Sequence, residues 1–423
     1  MEKKTVFYAG AARRDITPKE DMLPMPYVGP VAFEAVADRI SVRALYLENG
    51  DGQVLFVHFD LAEVPYVQET VAGLTRFSGL PSERIFTVAT HTHSMPFFGT
   101  VLFPPDAATE PLFRRYYDHV MEKAEEAVRE AMDGKRPAKL GYGEGRSYVN
   151  VNRDEKIDGK YTYGNNFERP SDKTLQLMRL EDEEGQMIAL IVNFAVHAVV
   201  TNGCMIGDGL WLGGDLPGRT ATVLEEKLGG VVLWTPAASG DQNPRYCTNF
   251  GYDETSPTLR TISPGEGGYL YLDALVAEHV RDILAANAGF TCDRERISIA
   301  AAEQTVLVQA KEELAAVMPA VPFVLKLLRL GDLVIQGVSA EVVTTVGAAL
   351  RSISDGEHTM MMTHVHGTGL YVPDEWEYAV QAQEVSQSLL ARGAAEPVFA
   401  AAFAEMVQNT KERTALSDLE ELL

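Results

Sequence analysis

Cysteine is scarce in this chain: there are three, Cys204, Cys247 and Cys292, far apart. An odd, sparse set excludes a disulfide framework and predicts a reducing compartment. Positive charge is also short, with 37 Lys and Arg against 60 Asp and Glu and a net charge of −23. Nucleic acid and anionic membrane surfaces both demand a basic patch, so neither is an expected partner. Long apolar runs are missing as well. No window of about 18 apolar residues occurs, so no transmembrane helix is expected. The opening Met1 to Tyr8 contains no apolar stretch of signal-peptide length. A soluble, cytoplasmic protein is the resulting expectation. Low-complexity linkers and internal repeats do not occur either, so no domain boundary is marked. Residues 1–423 read as a single domain with a helical tail over about 375–423. The oligomeric state stays open, a homo-oligomer included. Apolar residues make up 46%, enough for a large core.

What the chain does have is an alternation of strand and helix patterns with frequent hairpins. Strands are predicted at 6–17, 84–90, 138–150, 231–234, 296–308, 323–338 and 359–366. Residues 40–60 form a hairpin about Asn49-Gly50-Asp51-Gly52, whose Asn-Gly and Asp-Gly pairs favour tight turns. A second hairpin pairs 174–180 with 187–196 around Glu184-Gly185. Helices are predicted at 65–78, 111–132, 217–228 and 268–286, and from Glu341 to about Arg351, where apolar residues recur at helical spacing. Residues 154–172 read as a polar loop and 203–214 as a Gly-rich connection. Met187 to Val196 is apolar throughout, the pattern of a strand buried on both faces. The fold class is therefore α/β, a layered mixed β-sheet core flanked by helices.

Several strands end in residues able to bind a metal or move a proton. Phe86 to Thr90 leads into His91-Thr92-His93-Ser94. His197 closes the Met187 strand, Glu341 follows Leu333 to Val338, and Tyr371 follows His364-Val365-His366. Along an extended chain, positions i and i+2 share a face, so His91 and His93 point the same way if strand geometry continues. Neutral imidazole is the commonest protein metal ligand, and a catalytic zinc takes three protein ligands with one open position. Each residue also has an ordinary reading. The His pair fits one core and one exposed histidine equally well. Glu341 fits an acid at a helix start, complementing the dipole. Ser239 fits a small turn residue holding Asp241. His119 reads as a helix-surface residue, and His279 and His364 as packing residues. The apolar loop from Ser94 to Pro105, with Met95, Phe97, Phe98, Val101, Leu102 and Phe103, suits either a lipid-like pocket or packing under a loop.

Taken in order, these segments resemble the neutral/alkaline (non-lysosomal) ceramidase family in its N-terminal catalytic domain, over roughly residues 7–380. The matching stretches are Asp15-Ile16-Thr17-Pro18, Thr90-His91-Thr92-His93-Ser94, Asn150-Val151-Asn152-Arg153, Asn193-Phe194-Ala195-Val196-His197, Ser239-Gly240-Asp241-Gln242-Asn243-Pro244, Ala340-Glu341, Tyr371-Val372 and Glu377-Tyr378. The resemblance implies one Zn2+ per chain, bound by His91, His197, Glu341 and Tyr371. It implies that His93, Arg153, Ser239 and Tyr378 line the reacting centre. It implies hydrolysis of an amide, as in cleavage of ceramide to a sphingoid base and a fatty acid, with water preferred to Ser239 as nucleophile. The expected substrate is a small-molecule or lipid-like amide, with small soluble esters or lactones as the alternative and a non-catalytic lipid-binding relative as a third reading. The chain departs from the family in three ways. It is expected to be a short form without the strand-rich C-terminal domain and without a secretion signal, and it carries His366 where the family usually has Asn. His364 and His366 thus make a second His-x-His pair.

Overall fold

The computed structural model describes residues 6–27, 31–50, 52–98, 105–247, 265–367 and 370–422, the side chains of 414–422 excepted. An eight-stranded sheet runs in the order Val231–Pro236, Met187–Phe194, Thr174–Asp182, Arg136–Arg146, Phe7–Asp15, Ser41–Asn49, Gly52–Phe59, Ile85–Ala89. Its two halves meet through a short join, Tyr8↔Pro137 and Ala9↔Arg136. The outermost pair on each side is parallel and the inner pairs are antiparallel. A four-stranded sheet, Ile299–Gln309, Ala320–Leu330, Leu333–Val338 and His358–Met362, faces it.

Period-two alternation builds the layers. Along Ser41–Asn49, the side chains Val42, Ala44 and Tyr46 pack with Leu74, Tyr116 and Val120 of the helices Val67–Ser78 and Glu110–Asp133. Leu45 and Leu47 point the other way and share a core with Leu328, Ile335 and Met360 of the second sheet. The helices Asp215–Leu228 and Gly267–Asn287 cover the other half of the large sheet, against Leu190, Val192 and Trp234. The outer face of the small sheet packs on Thr344–Arg351 and on the helix Ala395–Leu422, through Val346 and Phe399. Met187–Phe194 and Leu333–Val338 are thus buried on both faces, which is why they read as nearly unbroken apolar runs. Among the described residues no helix is long and apolar enough to cross a membrane.

Three sequence expectations differ from the structure. The polar stretch after Arg153 is no loop at its start: Asn150–Ile157 and Lys160–Asn166 form a hairpin, closed onto Gln242–Pro244. Lys160–Asn166 is polar because much of it is open to water, whereas the polar residues Asn150, Asn152, Arg153 and Asp154 of the other strand are buried. The Gly-rich connection contains a short hairpin, Met205–Ile206 with Gly209–Leu212. Glu341 does not open a helix. It sits in a two-residue strand whose partner is Tyr371, Glu341↔Tyr371 and Val342↔Val372, and the helix begins at Thr344. Helix-dipole complementarity therefore does not account for Glu341.

Candidate active site

Loops leaving the strand ends are laced together by backbone hydrogen bonds. His93 N donates to Ala198 O at 3.0 Å, His197 N to Gln242 O at 2.9 Å, Gly240 N to Val342 O at 2.9 Å, Glu341 N to Leu370 O at 2.9 Å and Arg153 N to Asp241 O at 2.9 Å. Residues far apart in sequence are fixed in one place by this lacing. The chain around His91 is not extended: the strand stops at Ala89 and His91 has φ +60°. His364 and His366 also take positive φ, 57° and 55°. Non-glycine residues held there store strain, and such strain concentrates at functional sites. Asp215, itself at φ +51°, accepts from Val200 N and Thr201 N and lies near Ser94 Oγ, steadying the loop behind His91 and His93.

The buried ring of His91 donates from Nδ1 to Ala62 O at 2.8 Å, and that of His197 from Nδ1 to Ser239 O at 2.7 Å. Carbonyls only accept, so these bonds put the proton on Nδ1 and leave a lone pair on each Nε2. Both Nε2 atoms face Glu341 Oε2, at 3.5 Å from His91 and 2.8 Å from His197. Tyr371 Oη is 3.4 Å from His197 Nε2, and His93 Nε2 is 3.2 Å from His91 Nε2. Burial works against charge on His91, but Glu341 outweighs it and raises its pKa. Burial likewise works against charge on Glu341, yet the two imidazoles hold it well below the usual carboxylate range. Burial, then Arg153, pushes His197 down to about 4. Burial, then His91, pulls His93 well below the ordinary histidine value. Tyr371 is raised well above the usual phenol value by its burial.

Such a set of inward lone pairs suits a cation. Ligands about 2.1 Å from a tetrahedral zinc stand about 3.4 Å apart. The four separations here, 2.8 to 3.5 Å, bracket that edge. One ligand atom each from His91, His93 and His197 lies within 4.8 Å of the others, and the same holds for His91, Glu341 and His364. The Nδ1 anchors of His91 and His197 to backbone carbonyls are the support that metal-ligating histidines ordinarily have. His91, His197, Glu341 and Tyr371 are thus brought together, with His93 at the same point.

The remaining sequence candidates fall in different places. Arg153 is buried beside the cluster, its guanidinium 5.3 Å from the Tyr371 ring centroid and 4.5 Å from that of Tyr163. Its Nε donates to Glu384 Oε1 at 2.6 Å, and its Nη2 has no hydrogen-bond partner among the described residues. Ser239 is buried and lends its carbonyl to His197. Asp241 is held by Asn152 Nδ2 and by Thr344 N and Oγ1 rather than by the Ser239 hydroxyl. Tyr378 is not brought to the cluster: its hydroxyl donates to Leu390 O at 2.7 Å. His364 stacks on the His91 ring at 4.0 Å between centroids, with neither ring nitrogen partnered among the described residues. His366 lies instead near Glu303, at 3.8 Å. Of the apolar loop, Phe97 stands against His93 and His91, whereas Met95 and Phe98 join the core and Phe98 stacks on Phe113. Val101, Leu102 and Phe103 lie outside the described residues.

Sequence reasoning missed Asp154, Tyr163 and Glu384, which surround Arg153. The signal for Asp154 was at hand, since it directly follows the Asn-x-Asn-Arg stretch. Nothing local marks Glu384, which sits in the five-residue helix Gln383–Gln387.

No protein-family model matches this chain, and no curated protein sequence matches it. Solved structures do. A crystal structure of neutral ceramidase from Pseudomonas aeruginosa superposes with a TM-score of 0.77 at 16% identity, over 97% of this chain and 75% of that one. A structure described as ceramidase complexed with C2 superposes with a TM-score of 0.74 at 15% identity, over 97% of this chain and 76% of that one. The layered mixed α/β fold is therefore that of a neutral ceramidase catalytic domain.

Proposed function

We propose that this chain is a zinc-dependent hydrolase of N-acyl amides, built as one ceramidase-like domain, with His91, His197, Glu341 and Tyr371 holding one zinc ion. The observation that carries this reading is the convergence of two Nε2 lone pairs and one carboxylate oxygen at metal-ligand spacing in a buried site. Zinc at such a site supplies a Lewis acid and lowers the pKa of a water from about 15.7 to about 7.

The chain's own residues supply the rest. His93 is neutral at pH 7 because burial and His91 disfavour its charge. It takes a proton at Nε2 from the attacking water and returns it to the leaving nitrogen, a role worth about 10²–10⁴-fold. Arg153 keeps its charge at any working pH, since Tyr371, Tyr163 and Glu384 outweigh the effect of burial. Its unpartnered Nη2 is the donor left over for the developing oxyanion, and one such donor is worth on the order of 3 kcal/mol. Tyr378 is given no step, because its hydroxyl is committed to Leu390. Ser239 shapes the His197 anchor, and water is the nucleophile. Phe97 offers an apolar wall beside His93, in keeping with an acyl chain.

The test is a substrate panel on zinc-loaded protein: N-acyl sphingosines of long and short acyl chain, short N-acyl amines, esters and lactones, before and after chelation. Amide cleavage should disappear on chelation and return with about one equivalent of zinc. Cleavage that survives complete zinc removal, or none across the panel with zinc bound, contradicts the reading. Activity confined to short compounds would reject ceramide and keep the hydrolase.

A further inference from the structure

Behind Arg153 lies a second buried cluster that the proposed reaction does not use. Asp154 comes from the strand Asn150–Ile157, Glu377 from the helix Glu375–Val380 and Glu384 from the helix Gln383–Gln387. Each is 0% exposed. One carboxylate oxygen of each lies within 4.8 Å of one from each of the others. The scaffold grips two of them by a single oxygen. Glu377 Oε2 accepts from Asp374 N at 2.8 Å, and Glu384 Oε1 accepts from Arg153 Nε at 2.6 Å. Four oxygens have no donor among the described residues: Asp154 Oδ1 and Oδ2, Glu377 Oε1 and Glu384 Oε2. Asp154 is thus a wholly buried carboxyl group that receives no hydrogen bond from a donor among the described residues and stands within hydrogen-bond reach of the Glu384 carboxyl instead. Neighbouring Asp241, also buried, receives three hydrogen bonds at 2.8 Å. The same scaffold can satisfy a buried carboxylate, yet it leaves four of the six oxygens of these three without a donor among the described residues. An unpaired buried charge is too costly to stand, so something positive belongs among them.

We propose that Asp154, Glu377 and Glu384 bind a hard divalent cation of the Ca2+ or Mg2+ kind, at a site separate from the histidine cluster, and that this ion positions Arg153 through Glu384. An all-carboxylate set is the chemistry of hard cations, whereas zinc favours nitrogen and sulfur. Calcium–oxygen bonds run about 2.3–2.6 Å, so its ligands stand up to about 5 Å apart, which accommodates the observed spread. Three carboxylates and one guanidinium leave two negative charges, the amount one divalent cation cancels. The ion holds Glu384, Glu384 holds Arg153 Nε, and Arg153 lies over Tyr371. Protons are the rival: burial and Glu384 push Asp154 up to about 9, and burial and Asp241 push Glu377 up to about 11.

The test is calorimetric titration of the zinc-loaded full chain with CaCl2 and, separately, MgCl2 at pH 7.5, with Tm and zinc content followed in parallel. One added equivalent of one of the two cations should bind, Tm should rise and zinc should stay. Asp154→Asn and Glu377→Gln, which keep shape and remove charge, should each weaken that binding at least about 100-fold. His197→Ala should lose zinc and keep the hard cation, so a failed zinc assignment shows up separately. No uptake of either cation, with stabilisation only on lowering the pH, overturns the proposal in favour of protons. Uptake undiminished in both charge-removing variants overturns it too.

Discussion

His197 and His279 make an instructive pair. Both are wholly buried, and burial pushes both down to about 4. Each has a ring nitrogen engaged in a short bond: His197 Nδ1 with Ser239 O, and His279 Nδ1 with Ser147 Oγ at 2.9 Å. The difference lies at the other nitrogen. His279 Nε2 accepts from Trp234 Nε1 at 3.1 Å, which completes its bonding inside an apolar shell with Phe194. His197 Nε2 meets Glu341 Oε2, an acceptor, with Tyr371 Oη close by. Burial and a depressed pKa are thus common to a packing histidine and a candidate ligand. What separates them is whether the second lone pair faces a donor or another lone pair.

The sharpest way to break that contrast is to delete each ring. Losing an outer partner of a metal ligand costs about 10–100-fold in affinity. Losing the ligand itself should cost more, so His197→Ala should lower zinc affinity over about 100-fold in a chelator competition and turnover with it. Arg153→Met should follow, with kcat down about 100-fold and zinc content unchanged, since it removes a donor and no ligand. His279→Ala should leave zinc alone and lower stability by about 2–4 kcal/mol in urea titrations, because Ser147 and Trp234 lose a partner in a closed core. A gentler version uses pH. The folded value of His279 lies below the ordinary 6.5. The stability from its neutral form is therefore complete above about pH 6.5 and drains away as pH falls towards 4. His279→Gln should flatten the loss of urea midpoint across that window. The smallest effect is expected of Ser239→Ala, which keeps the carbonyl that anchors His197. Near-full turnover there excludes Ser239 as nucleophile.

Much of this contrast was visible in the sequence. Continuous apolar runs give the doubly buried strands, and Met187 to Val196 delivers His197 at a strand end. The heptad-like spacing of Phe113, Tyr116, Val120 and Ala124 gives the long helix. What stayed hidden depends on contacts between distant segments. The two-residue pairing of Glu341 with Tyr371 has no local signature, so the helix pattern beyond Glu341 pulls the residue into a helix it does not join. The hairpin after Arg153 is polar on its open faces and offers no apolar alternation. His364 reaches His91 through a left-handed turn that alternation does not foresee. Glu384 reads as a solvated charge, because nothing near it in sequence tells that it is buried, whereas Asp154 reads as the start of a polar loop although it directly follows the Asn-x-Asn-Arg stretch.

Anomalous diffraction on either side of the zinc absorption edge, from crystals grown with stoichiometric zinc, is the most direct measurement. A single peak bonded to His91 Nε2, His197 Nε2 and Glu341, at about 2.0–2.2 Å from each, is the predicted result. A map with no peak among these atoms, from protein that still hydrolyses its substrate, contradicts the account.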